Sequence, residues 1–330
     1  MSEYVSLLDE AVAYKPFNHS WAMELAEEHE KAHWGVWEVK LQEDVDQWKT
    51  GVISDVEKNH ITQILRLFTQ SDVQVGQNYC DLFIPKFRNH EIRNMLMTFA
   101  NREGTHQRAY ALLNDTLGFP DSEYEAFLDY KEMSDKVEFM QDNDVHTQSG
   151  LAKALAQTCI NEGMSLFSAF AMLLNYQRPE CGSKMKGMCE VVEWSIKDES
   201  MHVVGMSRLF REFCNEHPRV VTDELKKEIY EMVRTAVSLE DKVIDLAYEL
   251  GSVDGLDKAE VKEYIRYLAD RRLIQLGLKP NYGVKDNPLE WIEWIVGGDS
   301  FKAFLDGGVV TDYSADGMSG DWGWLKLVGN

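Results

Sequence analysis

The sequence predicts an all-α protein, a bundle of long helices with additional helices around it and a flexible C-terminal tail. Three observations predict it. The 330 residues contain only seven prolines. Between the prolines, apolar residues recur at helical spacing over long segments. Period-two alternation bounded by turn residues, the mark of half-buried strands, is scarce.

The elements follow in order. In "ISDVEKNH", Ser54 and Glu57 stand in the pattern of a capping box, which starts a helix at about residue 55. Its inward stripe is Ile61, Leu65, Phe68, Asp72, Val75 and Tyr79. A second helix, about 89–116, lines up Ile92, Leu96, Phe99, Glu103, His106, Tyr110 and Leu113. A third, about 149–176, lines up Leu155, Cys159, Glu162, Leu166, Ala169 and Leu173. A fourth, about 183–214, lines up Met188, Val192, Ser195, Glu199, His202, Met206 and Leu209. Later helices cover roughly 222–250, 257–276 and 287–296. From about Gly297 the chain turns rich in glycine and aspartate, punctuated by aromatics, with no sustained stripe. Residues 1–298 therefore read as one helical domain and 299–330 as a flexible tail.

Composition removes several function classes. A formal net charge of −22 argues against a nucleic-acid surface, which needs basic patches. The apolar runs are far too short to span a membrane. The acidic start "MSEYVSLLDEAVAYK" lacks the basic-then-apolar order of a signal peptide. Cys80, Cys159, Cys181, Cys189 and Cys214 are odd in number and form no Cys-x-x-Cys pair, which fits reduced thiols in the cytoplasm.

Chemistry enters through polar residues on apolar stripes. The chain holds four Glu-x-x-His pairs, Glu30/His33, Glu57/His60, Glu103/His106 and Glu199/His202, where its composition predicts roughly one by chance. The first lies in the charged run "AEEHEKAHW" and reads as a solvated helix face; in the second, Glu57 is occupied by capping. The other two interrupt apolar stripes, as do Asp72 and Glu162. Four helix faces thus contribute Asp, Glu plus His, Glu, and Glu plus His, the ligand inventory of the carboxylate-bridged dimetal site in ferritin-like bundles. Four carboxylates in a dry core repel one another unless about four positive charges sit among them, which two divalent cations supply. Oxygen and imidazole ligands suit iron or manganese better than structural zinc.

With "TQSDVQVGQ", "NREGTHQRAY", "TCINEGMSLFSAF" and "SIKDESMHVVG" in that order, the sequence resembles the small, radical-generating subunit of class I ribonucleotide reductase from about residue 15 to its end. The resemblance implies that Asp72, Glu103, His106, Glu162, Glu199 and His202 bind two metals, either two irons, two manganese ions or a mixed pair. It implies that Tyr110 is oxidised to a stable radical, with Leu166 and Phe170 as candidates for the wall around it. Trp34 in "KAHWGVWEV" and Asp198 in "IKDESMH" match the family's route from the metals to the surface, Asp198 accepting the outer N–H of His106. In the tail, Tyr313 matches a relay tyrosine, with Trp322 and Trp324 as alternatives, and the apolar end "WGWLKLV" matches a docking peptide for a large subunit that binds the ribonucleotide. A homodimer is implied as well. The alternative on the same helices is a ferritin-like di-iron oxygenase acting on an organic substrate, which would leave the aromatic tail unexplained.

Overall fold

The computed structural model describes residues 4–141 and 143–296. Along the chain run α1 (Ser20–Lys31), α2 (Gln42–Thr50), α3 (Asp55–Gln77), α4 (Ile84–Lys86), α5 (His90–Leu117), α6 (Lys131–Gln141), α7 (Gln148–Ile160), α8 (Phe167–Leu174), α9 (Lys186–Glu216), α10 (Asp223–Ala247), α11 (Lys258–Gln275) and α12 (Glu290–Val296). The described residues contain no strand, only an isolated bridge between Val253 and Leu256. The fold is all-α, as the spacing predicts.

Local chemistry sets the helix ends. Ser54 accepts the Glu57 N–H while Glu57 accepts the Ser54 N–H, so the expected box starts α3. The side chains of Asn89, Thr147, Thr222 and Asp257 accept otherwise unpaired N–H groups at the starts of α5, α7, α10 and α11, and Asp257 forms a second reciprocal box with Glu260. Helix α5 stops at Gly118, which adopts the left-handed conformation at φ 86°.

The long helices pack in pairs, α3 along α5 and α7 along α9, with α5 also meeting α9 and α8 reaching α3. Helices α1, α10 and α11 close around these four. Gly205 of α9 allows one such approach, since a Cβ there would lie 2.8 Å from the Phe99 ring of α5.

Two segments depart from regular helix. The sequence reads 149–176 as one helix, but a π-turn at Asn161–Ser165 divides it into α7 and α8, and Asn175–Gln177 is 3-10. A second π-turn, Asn78–Phe83, extends α3. A π-turn breaks the regular i-to-i−4 ladder and shifts the face each residue presents. At the first, the Ser165 carbonyl accepts Lys136 Nζ at 2.7 Å. Lys136 is buried and paired with Glu240 at 2.7 Å, and Glu240 also accepts from Ser168 at 2.7 Å. Gly163 sits within the same turn, where a Cβ would come 2.6 Å from the Arg272 side chain and 2.9 Å from Val203. The stripe assigned to this segment was too narrow. From Leu151 to Tyr176 every residue except Lys153 is buried, so the element is a central one enclosed on all sides.

The tail aromatics Tyr313, Trp322 and Trp324 lie outside the described residues. So does the boundary at 298/299. The five cysteines are free thiols. No described helix is long and apolar enough to cross a membrane.

Candidate metal centre

Asp72 comes from α3, Glu103 and His106 from α5, Glu162 from the π-turn after α7, and Glu199 and His202 from α9. None is more than 1% exposed. They converge as two quartets. Ligand atoms of Asp72, Glu103, His106 and Glu199 all lie within 4.8 Å of one another, and so do those of Glu103, Glu162, Glu199 and His202. Glu103 and Glu199 belong to both, the place a bridging carboxylate must take. His106 Nδ1 stands 3.2 Å from Glu199 and 3.6 Å from Glu103. His202 Nδ1 stands 3.0 Å from Glu162, 3.1 Å from Glu103 and 3.4 Å from Glu199. Both imidazoles therefore turn Nδ1 to the carboxylates and Nε2 outward.

The donor set fits a pair of divalent metals. Asp72 Oδ2, both Glu103 oxygens, Glu199 Oε2 and His106 Nδ1 are buried with no hydrogen-bond partner, although imidazole nitrogens pass close to several of them. Orphaned charged atoms cost too much to leave uncompensated in a core. Without metal, protons must do the compensating. Burial lifts the Asp72 carboxyl well above its ordinary range and Glu162 up to about 8. Burial opposes charge on His106 and His202, yet the acids around them outweigh it and raise both well above 6.5. Glu103 also feels burial, but the two imidazoles beside it hold it low.

Outside the ring of acids, Asp198 acts as a hub. Its Oδ2 accepts Trp34 Nε1 at 2.7 Å and sits 3.0 Å from His106 Nε2, with Arg102 3.5 Å away. Burial would raise Asp198, but Arg102 and His106 prevail and keep it well below the carboxylate range. The Trp34 ring stacks on His106 at 5.9 Å. On the other imidazole, His202 Nε2 meets His29 Nε2 at 3.0 Å, and His29 in turn is 3.8 Å from Asp198 Oδ1.

Two phenols flank the cluster, both fully buried. Tyr110 donates to Ser195 Oγ at 3.1 Å, and Ser195 passes its own hydrogen to the Val191 carbonyl at 2.9 Å. The ring packed edge-on against Tyr110 is Phe68, 4.4 Å away, with Phe170 behind it at 5.2 Å from Phe68. Tyr79 instead donates directly to Glu162, 2.9 and 2.8 Å from its two oxygens. Burial raises both phenols well above 10, helped chiefly by Asp72 at Tyr110 and by Glu162 at Tyr79.

Residues 11–288 match the family model for the ribonucleotide reductase small chain. The chain belongs to that family. It is 35% identical over 339 residues to a protein named a probable ribonucleoside-diphosphate reductase small subunit, from Invertebrate iridescent virus 3, covering 97% of this chain and 89% of the relative. Its fold is shared with a ribonucleotide reductase subunit of Clostridium botulinum, at TM-score 0.80 and 22% identity, covering 88% of this chain and 94% of that one. It is shared too with the dimanganese(II) NrdF protein of Streptococcus sanguinis, at TM-score 0.72 and 20% identity, over 85% and 96% of the two chains.

In this ribonucleotide reductase small chain, the six residues singled out from the sequence stand together, with Tyr110, Trp34 and Asp198 adjoining them. Trp34 is fully buried, whereas nearby Trp37 is 78% exposed. Glu30 and His33 face solvent, while Glu57 caps α3 and His60 bonds Tyr176 at 3.0 Å. Sequence reading missed His29. It lies in the charged run taken as solvated, but Ala22, Leu25, Ala26 and His29 form a buried i, i+3, i+4, i+7 stripe on α1 that could have revealed it. Tyr79 was visible on its stripe but carried no role.

Proposed function

We propose that the centre holds two metals, Asp72, Glu103, His106 and Glu199 around one and Glu103, Glu162, Glu199 and His202 around the other. Bound there, the pair would supply the oxidising equivalent that removes an electron and a proton from Tyr110. The observation that carries this reading is that two quartets share two carboxylates beside a buried phenol. The chain's own contribution is to orient and to exclude. Asp198 accepts the outer N–H of His106 and so directs its Nδ1 inward. Phe68 and the surrounding apolar side chains keep water from the Tyr110 oxygen, which is what a long-lived phenoxyl radical requires. The contacts Trp34–Asp198–His106 form a continuous path along which an electron and a proton can move outward.

From there we infer that the radical passes through the tail, by way of Tyr313, to a cysteine of a large subunit that binds the ribonucleotide, in a cytoplasmic assembly built on a homodimer of this chain. Residues 299–330 act as the docking segment. Iron and manganese both suit the oxygen and imidazole donors, and the dimanganese relative keeps manganese open. The deciding experiment is metal analysis combined with paramagnetic resonance. Two metals per chain and a long-lived tyrosyl signal lost in Tyr110→Phe support the reading. A loaded centre that never yields a tyrosyl signal, yet turns over a fatty or aldehyde substrate, overturns it in favour of an oxygenase. Deleting residues 314–330 should leave the Tyr110 signal intact and abolish reduction with the large subunit.

A further inference from the structure

The same side chain stands on two sides of the candidate metal centre in two different hydrogen-bond settings. Tyr110 gives its hydrogen to Ser195, a hydroxyl whose own hydrogen is already committed to the Val191 carbonyl. Among the described residues no carboxylate accepts from Tyr110. Tyr79 is equally buried, but its hydrogen lies between the two oxygens of Glu162, at 2.9 and 2.8 Å. Its ring centroid is 6.0 Å from that of His202, another member of the same quartet. Removing an electron from a phenol in a dry core requires that its proton leave at the same time, because a cationic ring would be stranded in low dielectric. Tyr79 has the acceptor for that proton already in place, and it touches the cluster through a single hydrogen bond.

We propose that Tyr79 is a second oxidisable phenol of this centre, on the Glu162 side. The proposal rests on reading the two quartets as a dimetal site. In the step, the Tyr79 O–H bond would break, the proton would move to the Glu162 oxygen it already faces, and the electron would go to the oxidant that a loaded centre supplies, reducing it by one. The oxidant is the one Tyr110 requires, so the two phenols compete for a single equivalent. Removing Tyr110 leaves Tyr79 as the phenol bonded directly to the cluster. A phenol that only holds Glu162 in position would yield no radical at all.

The test uses the full chain reconstituted with ferrous ion and dioxygen, or with manganese and a peroxide-class oxidant. Wild type, Tyr110→Phe, Tyr79→Phe and the double variant are freeze-quenched and compared by paramagnetic resonance, with metal content measured on each sample. Tyr110→Phe should give a shorter-lived tyrosine-derived signal that narrows when ring-deuterated tyrosine is incorporated. The double variant should load two metals and lose that signal. No tyrosine signal in a fully loaded Tyr110→Phe, or a signal that survives in the double variant, overturns the proposal. Absence of any tyrosyl signal in wild type instead strikes the reading of Tyr110, a separate failure. If Tyr110→Phe does not load, wild type quenched early should show two components and Tyr79→Phe one; identical spectra overturn the proposal.

Discussion

On the Asp72 side of the candidate metal centre, every contributing side chain sits on an unbroken α-helix: Asp72 on α3, Glu103, His106 and Tyr110 on α5, Asp198 and Glu199 on α9. On the Glu162 side, the carboxylate and the phenol bonded to it both come from π-turns, Asn161–Ser165 and Asn78–Phe83. The first side needs only helical period to aim its groups. The second needs outside help, because a π-turn is less favourable than α-helix and exposes carbonyls that must find other donors. Lys136 on α6 is that help for the Ser165 carbonyl, and Glu240 on α10 holds Lys136. One half of the centre is positioned by periodicity and the other by a buried ion pair between α6 and α10.

Breaking what the halves share should have the largest effect. Glu103 belongs to both quartets, so Glu103→Ala should take the chain from two metals to fewer than one, read by metal analysis after desalting. His106→Ala should empty one position and spare the other. Equal loss from these two variants would show that the halves are not linked through Glu103.

Breaking the support of the π-turn half comes next. Lys136→Met leaves Glu240 buried without its cation, a change that costs about 3–5 kcal/mol in comparable sites. The pH dependence has a definite sign. Burial already raises the Glu240 carboxyl above 4.5 despite Lys136, and removing the lysine raises it further. A carboxyl raised by folding costs nothing below its unfolded pKa and progressively more as pH climbs toward its folded value. The deficit of Lys136→Met in chemical denaturation should therefore be small near pH 4 and grow toward neutrality. A deficit independent of pH would mean that lost packing, not the stranded carboxylate, sets the cost.

Protons also link the metal-free and loaded centres. Without metal, Asp72, Glu162, His106 and His202 all hold their protons more tightly than the free side chains do. Metals require these groups deprotonated, so loading must release protons and weaken as pH falls. Titration with manganous ion in weak buffer should acidify the solution. The apparent affinity should drop at least about tenfold per unit below pH 8, the value to which Glu162 is raised.

The contrast between the halves also explains what the sequence could and could not disclose. Glu103, His106 and Tyr110 are spaced three and four apart on an otherwise apolar stripe, and Asp72 interrupts another, so regular helix projects them to one face. Glu162 was legible as an acid in an apolar stretch, but not its turn. A π-turn has no residue signature, and this segment is buried on every side, so no stripe distinguishes its faces. Nothing in the sequence pairs Lys136 with Glu240, since charge is mostly found at the surface; only tertiary packing brings them together. His29 was hidden by its acidic neighbours Glu27, Glu28 and Glu30, whose charges mask a short buried stripe.

The outer contacts of the two imidazoles give the finest comparison. His106 Nε2 faces the Asp198 carboxylate, whereas His202 Nε2 faces the ring nitrogen of His29, both at 3.0 Å. A carboxylate is the stronger acceptor, and Asp198 also reaches toward His29. Asp198→Asn should thus weaken metal binding about 10- to 100-fold, the range seen when such outer partners are lost. For His29, burial and the neighbouring His202 hold the ring neutral. With His202 Nδ1 turned to the acids, its Nε2 carries the hydrogen, and His29 must accept it with Nε2 while its own proton sits on Nδ1. Loss of so weak an acceptor should cost the least, about tenfold in affinity at the position His202 serves. In a chelator competition, His29→Leu should show that loss at one of two metals, and His29→Gln, whose amide oxygen can accept the same hydrogen, should recover most of it. A leucine variant that binds both metals normally, or a glutamine variant no better than leucine, would mean that His29 fills space beside His202 without directing it.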